Sequence, residues 1–282
     1  MVNLLRTALG FAPTRPILAL VTATVLQVLF AVLAGIFGDA ILIVKLLACG
    51  IALVALFGLG KLEGRNLADV GFRGNVWRSL GLGLAGGFSL ITLVIGLLAI
   101  GGAYHVLELR FSLEFLGWIL VLIPASIAEE ILYRGILFRM SEEGWGTLPA
   151  LVFSALVFGL IHLNNPGATL LTSLSIGLQA GVLLGAVYVV TRNLWVVIGL
   201  HFGWNLATSV FGLSISGVRN PGLLHSETHG SELWTGGTFG PEAGLVTLVV
   251  ATAAGLAILL YAARKGLLRQ TNVTETIKPM PS

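Results

Sequence analysis

Three apolar stretches of this chain carry side chains that hydrocarbon does not tolerate. The stretch IPASIAEEILYRG holds Glu129, Glu130 and Arg134, FGLIH holds Phe158 and His162, and HFGWN holds His201 and Asn205. Residues four apart on a helix share a face. Glu130 and Arg134 therefore read as an intrahelical ion pair. Glu129 is rotated from that pair by about 100° and is left as a carboxylate aimed at something else. A charge near the centre of a membrane helix costs roughly 2.5–3.5 kcal/mol. Such residues face a bundle interior or a wet cavity and usually have a function.

The chemistry these types allow is activation of water. A carboxylate can take a proton from water and return one to a leaving amine. A neutral imidazole can hold the same water or shuttle the proton. A second imidazole and a carboxamide can donate hydrogen bonds to a developing oxyanion. Together Glu129, His162, His201 and Asn205 form a set for amide hydrolysis without a Ser or Cys nucleophile. A single membrane histidine is as readily a hydrogen-bonded interior residue. Two histidines, an amide and a spare glutamate on three apolar helices are harder to explain by packing alone. The sequence has no HExxH, GxSxG or Walker pattern, so zinc-helix proteases, serine hydrolases with a nucleophile elbow and P-loop enzymes are not indicated. Cys49 is the only cysteine, which rules out an internal disulfide and a cysteine-rich zinc cluster.

The elements that position these groups follow from composition. Of 282 residues, 56% are hydrophobic and 10% charged, and the mean hydropathy is +0.96. Soluble domains carry about 25% charged residues, so lipid is the main solvent here. Nucleic acid is not an expected partner despite the formal charge of +3. Spanning helices need about 20 apolar residues. Runs at 17–38, 40–60, 79–101, 113–140, 148–163, 170–191, 194–213 and 243–263 predict an all-α polytopic membrane bundle of about eight spans. The first run is too long for a signal-peptide core and reads as a retained span, the first two form a tight hairpin, and the fifth is short. Pro124 is expected to bend or widen the fourth span, and Lys45 to snorkel towards the end of the second. The many glycines imply close helix packing and no chemistry.

Loop charges orient the bundle. With the N-terminus placed inside, only Arg110 and Arg219 of the 16 basic residues fall on the outer side, while Lys45 and Arg134 lie within helices. That bias is the positive-inside rule, and it predicts both termini in the cytoplasm. The organisation expected is one transmembrane domain over 1–265, with a motif core at 113–210, followed by a polar, disordered cytoplasmic tail at 266–282. The amphipathic segment 61–78 is expected along the interface. The outer loop 214–242 is rich in Gly, Ser, Thr and His.

With its three motifs in this order, EExxxR at Glu129, Glu130 and Arg134, FxxxH at Phe158 and His162, and HxxxN at His201 and Asn205, the chain resembles the CPBP family. These are CAAX prenyl proteases and bacteriocin-processing or immunity proteins, also called Abi proteins. NLADVGFR ahead of the third span also looks like a family feature, and the resemblance covers about 67–210. It implies an intramembrane endopeptidase that hydrolyses a peptide bond of a membrane-associated substrate. Glu129 would activate water with His162, His201 and Asn205 would form the oxyanion site, and Glu130, Arg134 and Phe158 would support them. The family is often described as metalloproteases, and its prenyl-protease members also as metal-free glutamate enzymes. The cofactor is thus unknown. Metal-free activation is favoured, and zinc held by Glu129, His162 and His201 is the alternative.

Two further readings stand beside the peptidase. One is a non-catalytic scaffold or immunity factor on the same fold. The other is a proton-coupled transporter, which also uses membrane Glu and His but usually shows repeated halves that this sequence lacks. Partners expected are membrane lipid and a membrane-anchored peptide or protein, with location in a prokaryotic plasma membrane. Reporter fusions at the C-terminal tail and within 214–242 are expected to report opposite sides of the membrane. The same side for both would refute the span count.

Overall fold

The fold is known from a computed structural model that describes residues 7, 9, 10, 12–38 and 40–270. Eight apolar helices follow in order. They are α1 (Arg15–Phe37), α2 (Ile41–Leu62), α3 (Val76–Ile100), α4 (Leu113–Trp145), α5 (Thr147–Asn164, whose last turn is 3-10), α6 (Leu170–Thr191), α7 (Leu194–Val210) and α8 (Leu245–Arg264). All but α7 are long and apolar enough to cross a membrane. The all-α polytopic bundle stands, and the fifth span is short, with 18 residues. α7 is short as well, with 17 residues, about 25 Å at 1.5 Å per residue against a hydrocarbon core of about 30 Å. α7 lies inside the bundle, with most of its length buried, so protein rather than lipid surrounds its ends.

Glycine sets how the helices meet. A Cβ on Gly83 would lie 2.1 Å from the Val196 carbonyl oxygen, and one on Gly87 2.0 Å from that of Leu200. In return, Cβ atoms on Gly199 and Gly203 would lie 2.4 and 2.3 Å from the Leu80 and Leu84 carbonyl oxygens. Two small-xxx-small stripes thus face each other, and α3 and α7 touch backbone to backbone. The contacts advance together along both helices, so α3 and α7 run in the same direction. Gly159 meets Ser173 and Gly177, while Gly181 meets Ala155. That order is reversed, so α5 and α6 are antiparallel. The directions agree with alternating passes.

Elsewhere the structure departs from the sequence expectations. Residues 101–112 and the loop 214–242 are joined by an antiparallel pair, β1 (Tyr104–Leu109) and β2 (Leu224–Thr228), with an irregularity between Val106 and Glu108. The Tyr104 hydroxyl donates to the Phe211 carbonyl at 2.9 Å, and burial raises its pKa. The segment 61–78 is mostly turns between α2 and α3. Asn66 and Asp69 bond each other's backbone N–H, Val70 is buried in the core, and Gly71 accepts from Leu194 N–H at 2.8 Å. Gly71 has φ 112°, and a Cβ there would sit 2.8 Å from Leu194 Cγ, so the turn that starts α7 requires glycine. The first residues of the expected tail are held against the bundle. Thr147 and Arg269 exchange two hydrogen bonds, Thr147 N–H to the Arg269 carbonyl at 2.9 Å and Arg269 N–H to Thr147 Oγ1 at 2.8 Å, which dock this stretch on α5. The expected disorder at 271–282, and the charges of Arg6, Asp39 and Lys278, fall outside the described residues.

Adjacent glycines on α3 provide a test. Gly87→Ala is expected to force α3 from α7 and to destabilise by about 1–3 kcal/mol, the usual cost of overpacking. A Cβ on Gly86 meets nothing within 4 Å, so Gly86→Ala is expected to leave the thermal midpoint in detergent unchanged or slightly higher. Equal effects of the two substitutions would remove the backbone contact as the constraint.

Candidate active site

The site begins on α4. Ser112 caps the helix by accepting from Phe115 N–H at 3.1 Å. The chain runs as regular α-helix to Glu130, through Pro124, and then as a wider π-helix over Ile131–Phe138. The widening therefore starts after the two glutamates and not at Pro124, as the sequence suggested. Wide turns of this kind recur at functional sites.

Glu130 is fully buried and Arg134 nearly so, and they pair at 2.9 Å as their spacing required. Arg134 also donates to the Ala180 and Gly181 carbonyls at 3.3 and 3.4 Å, and its guanidinium lies 4.6 Å from the Phe158 ring centre. The same Glu130 oxygen that meets Arg134 lies 2.7 Å from His201 Nδ1. Glu130 is thus more than half of an intrahelical pair, since it also fixes the imidazole of α7. Its second oxygen is buried and lacks a hydrogen-bond partner among the described residues.

Glu129 points elsewhere. Its side chain keeps 27% exposure, and its Oε2 lies 3.9 Å from His201 Nε2. The carboxylate is within electrostatic range of His201, Lys45, His162 and Arg134. His162, in the last turn of α5, is buried, and its Nδ1 lies 2.7 Å from the Phe158 carbonyl oxygen. A carbonyl only accepts, so Nδ1 carries the proton and Nε2 of the neutral ring keeps its lone pair. Phe158 sits among these groups. Its ring centre lies 5.0 Å from that of His162 and 6.3 Å from that of His201. Asn205 is buried one turn beyond His201, and its side-chain amide is committed to no hydrogen bond among the described residues.

Glu129, Glu130 and His201 lie at matching depths along their helices. α4 extends to Trp145 rather than stopping at 140, so Glu129 and Glu130 lie near its middle, as His201 does in α7. Lys45 is a residue that sequence reasoning did not connect to the site. It reaches the field of Glu129. The clue lay in the face of α2. Lys45 is eleven residues before Leu56 and so about on the same side, and Leu56 packs against Gly135 of α4, 3.5 Å from where a Cβ would stand.

The donor set for zinc does not assemble. Among the described residues no three His, Cys, Asp or Glu side chains are grouped to hold a metal ion.

Residues 110–207 match the family described as type II CAAX prenyl endopeptidase, Rce1-like. The likeness to this family covers about a third of the chain. The match starts just before α4 and ends after Asn205, so every motif residue above lies in it. That family is one of membrane endopeptidases, and the seven long apolar helices make this chain an integral membrane protein. The matched Rce1-like description names neither metal dependence nor bacteriocin-processing or Abi proteins. Searches of curated proteins and of solved structures give no match.

Removing one partner of a buried ion pair costs about 3–5 kcal/mol. Arg134→Ala, which strands Glu130, is therefore expected to lower thermal stability in detergent far more than Glu129→Ala. An Arg134→Ala protein as stable as its parent would contradict the pairing role.

Proposed function

We propose that the chain is an intramembrane endopeptidase in which Glu129 activates water against a peptide bond of a membrane-anchored substrate. The observation that carries this reading is the placement of a partly exposed carboxylate 3.9 Å from an imidazole nitrogen, with that imidazole locked from behind by a second carboxylate at 2.7 Å.

The hydrogen bonds suggest how each group acts. Ionised Glu130 only accepts, so His201 carries a proton on Nδ1. For His201 to donate from Nε2 as well, it must be an imidazolium. Glu129, Glu130, Arg134 and His201 would then be two negative and two positive charges in one low-dielectric cluster. Glu129 takes a proton from water while the His162 Nε2 lone pair accepts the other hydrogen. The water oxygen attacks the carbonyl carbon. The oxyanion accepts from His201 Nε2–H and the Asn205 amide. When the C–N bond breaks, Glu129 returns its proton to the amine. Phe158 walls the site and keeps both imidazoles apart, while Glu130 and Arg134 hold His201 and α4 in place. A prenylated tail is one substrate compatible with this scheme, and any peptide anchored near the site is another.

Glu129→Gln keeps shape but removes the base. It is expected to abolish cleavage of membrane-anchored peptides by purified protein while leaving the unfolding profile intact. Asn205→Ala is expected to reduce kcat by about 10²–10³, as for one oxyanion donor. Full cleavage by folded Glu129→Gln protein would overturn the assignment.

A further inference from the structure

The far end of α4 belongs to a second polar assembly. A cavity of about 510 Å³ opens where the start of α1, the turns after α2, the end of α4, the end of α6 and the stretch after α8 converge. Six arginines line it: Arg15, Arg65, Arg73, Arg139, Arg192 and Arg269. This is the end of the bundle that the basic bias assigns to the cytoplasm.

Many of these charges are paired. Arg15 bonds Glu63 and Glu143. Arg65 meets Glu143 at 2.5 Å and Arg139 meets Glu63 at 2.8 Å. Arg192 donates to Glu142 at 2.9 Å, and Arg269 lies 3.8 Å from both Glu142 and Glu143. Asp69 and Glu143 are on the wall, and with Glu63 and Glu142 behind it four carboxylates are set against six guanidinium groups, which leaves an excess of positive charge. Two observations point to an absent anion. Arg139 is buried, yet its Nη2 has no hydrogen-bond partner among the described residues. Arg73 bonds only the Ala68 carbonyl, at 3.2 Å. Burial at Arg65 favours its neutral form, but the hydrogen bond and charge of Glu143, with Glu63 and Asp69, hold its pKa above the ordinary value.

We propose that this arginine-lined cavity is a binding site for a phosphate-bearing anion, distinct from the candidate active site. Guanidinium forks match phosphate oxygens in pairs, and the volume admits a phosphate, a diphosphate or a phospholipid headgroup. Basic pockets between membrane helices at this level suit lipid headgroups. Such a ligand would bridge five chain segments and stabilise the folded bundle by mass action.

Thermal unfolding of the full chain in neutral detergent tests this. The probes are inorganic phosphate, pyrophosphate and short-chain phosphatidic acid, each against chloride at equal ionic strength. A saturable rise in midpoint with a phosphate probe is expected. Response to the lipid alone identifies a headgroup site, and response to the soluble anions identifies a free-phosphate site. Arg73→Gln is expected to raise the half-saturating concentration about tenfold, as for one charge-assisted hydrogen bond, and Arg269→Gln to act likewise. Lys61→Gln, which removes an exposed charge near this end without touching the cavity, should change nothing. Equal stabilisation by chloride, or equal weakening by Lys61→Gln, would overturn the site.

Discussion

A carboxylate with no solvent exposure in a membrane helix has to be neutralised, and Glu130 is neutralised from two sides. Arg134 meets it from one turn along α4, and His201 meets it from α7. Lipid offers neither charge nor hydrogen bonds, so these two contacts are compulsory rather than decorative. They tie α4 to α7, fix the imidazole ring, and set where Glu129 can point. The remaining packing serves this junction. The interlocked glycines of α3 and α7 hold the His201 helix at backbone contact, and the Ala180 and Gly181 carbonyls of α6 close the far side of Arg134.

The junction also explains a division between two neighbouring residues of the same type. Glu130 holds both Arg134 and His201 through one oxygen, Oε1, so a proton taken there would weaken the junction. Glu129, one residue away, is turned by a third of a helical circuit towards a partly open space. In the proposed mechanism the same helix thus supplies a fixed charge and a working one. Such a pairing separates stability from activity at adjacent positions, which a surface loop would do less rigidly.

Much of this was legible in the sequence because charges in hydrocarbon have few acceptable places. Spacing alone paired Glu130 with Arg134 and set Glu129 apart. The helix order and most boundaries followed from apolar runs. What the sequence could not specify was contact between helices. Helical period gives the face of a residue but not its neighbour. The bond from Glu130 to His201 spans 71 positions, and Lys45 comes near Glu129 only because α2 packs on α4. The pairing of β1 with β2 was hidden for the same reason, since its strands lie in separate loops with weak patterns. The Arg269 contact was hidden by composition, because a short polar stretch after the last span reads as tail until its backbone bonds to Thr147 are seen.

The wide turns over Ile131–Phe138 have a consequence for the chain as a linear code. A π-type turn holds more residues than an α turn, so it acts as a phase shift between the two halves of α4. Glu129 and Glu130 lie before it, and Arg139, Glu142 and Glu143 lie after it. Were the stretch to close into ordinary helix with its residue count unchanged, the extra residue would turn one half against the other by about 100°. Either the glutamates would leave His201 or the lower charges would leave their partners. This stretch is therefore a vernier, and its residue count matters as much as the identity of its side chains.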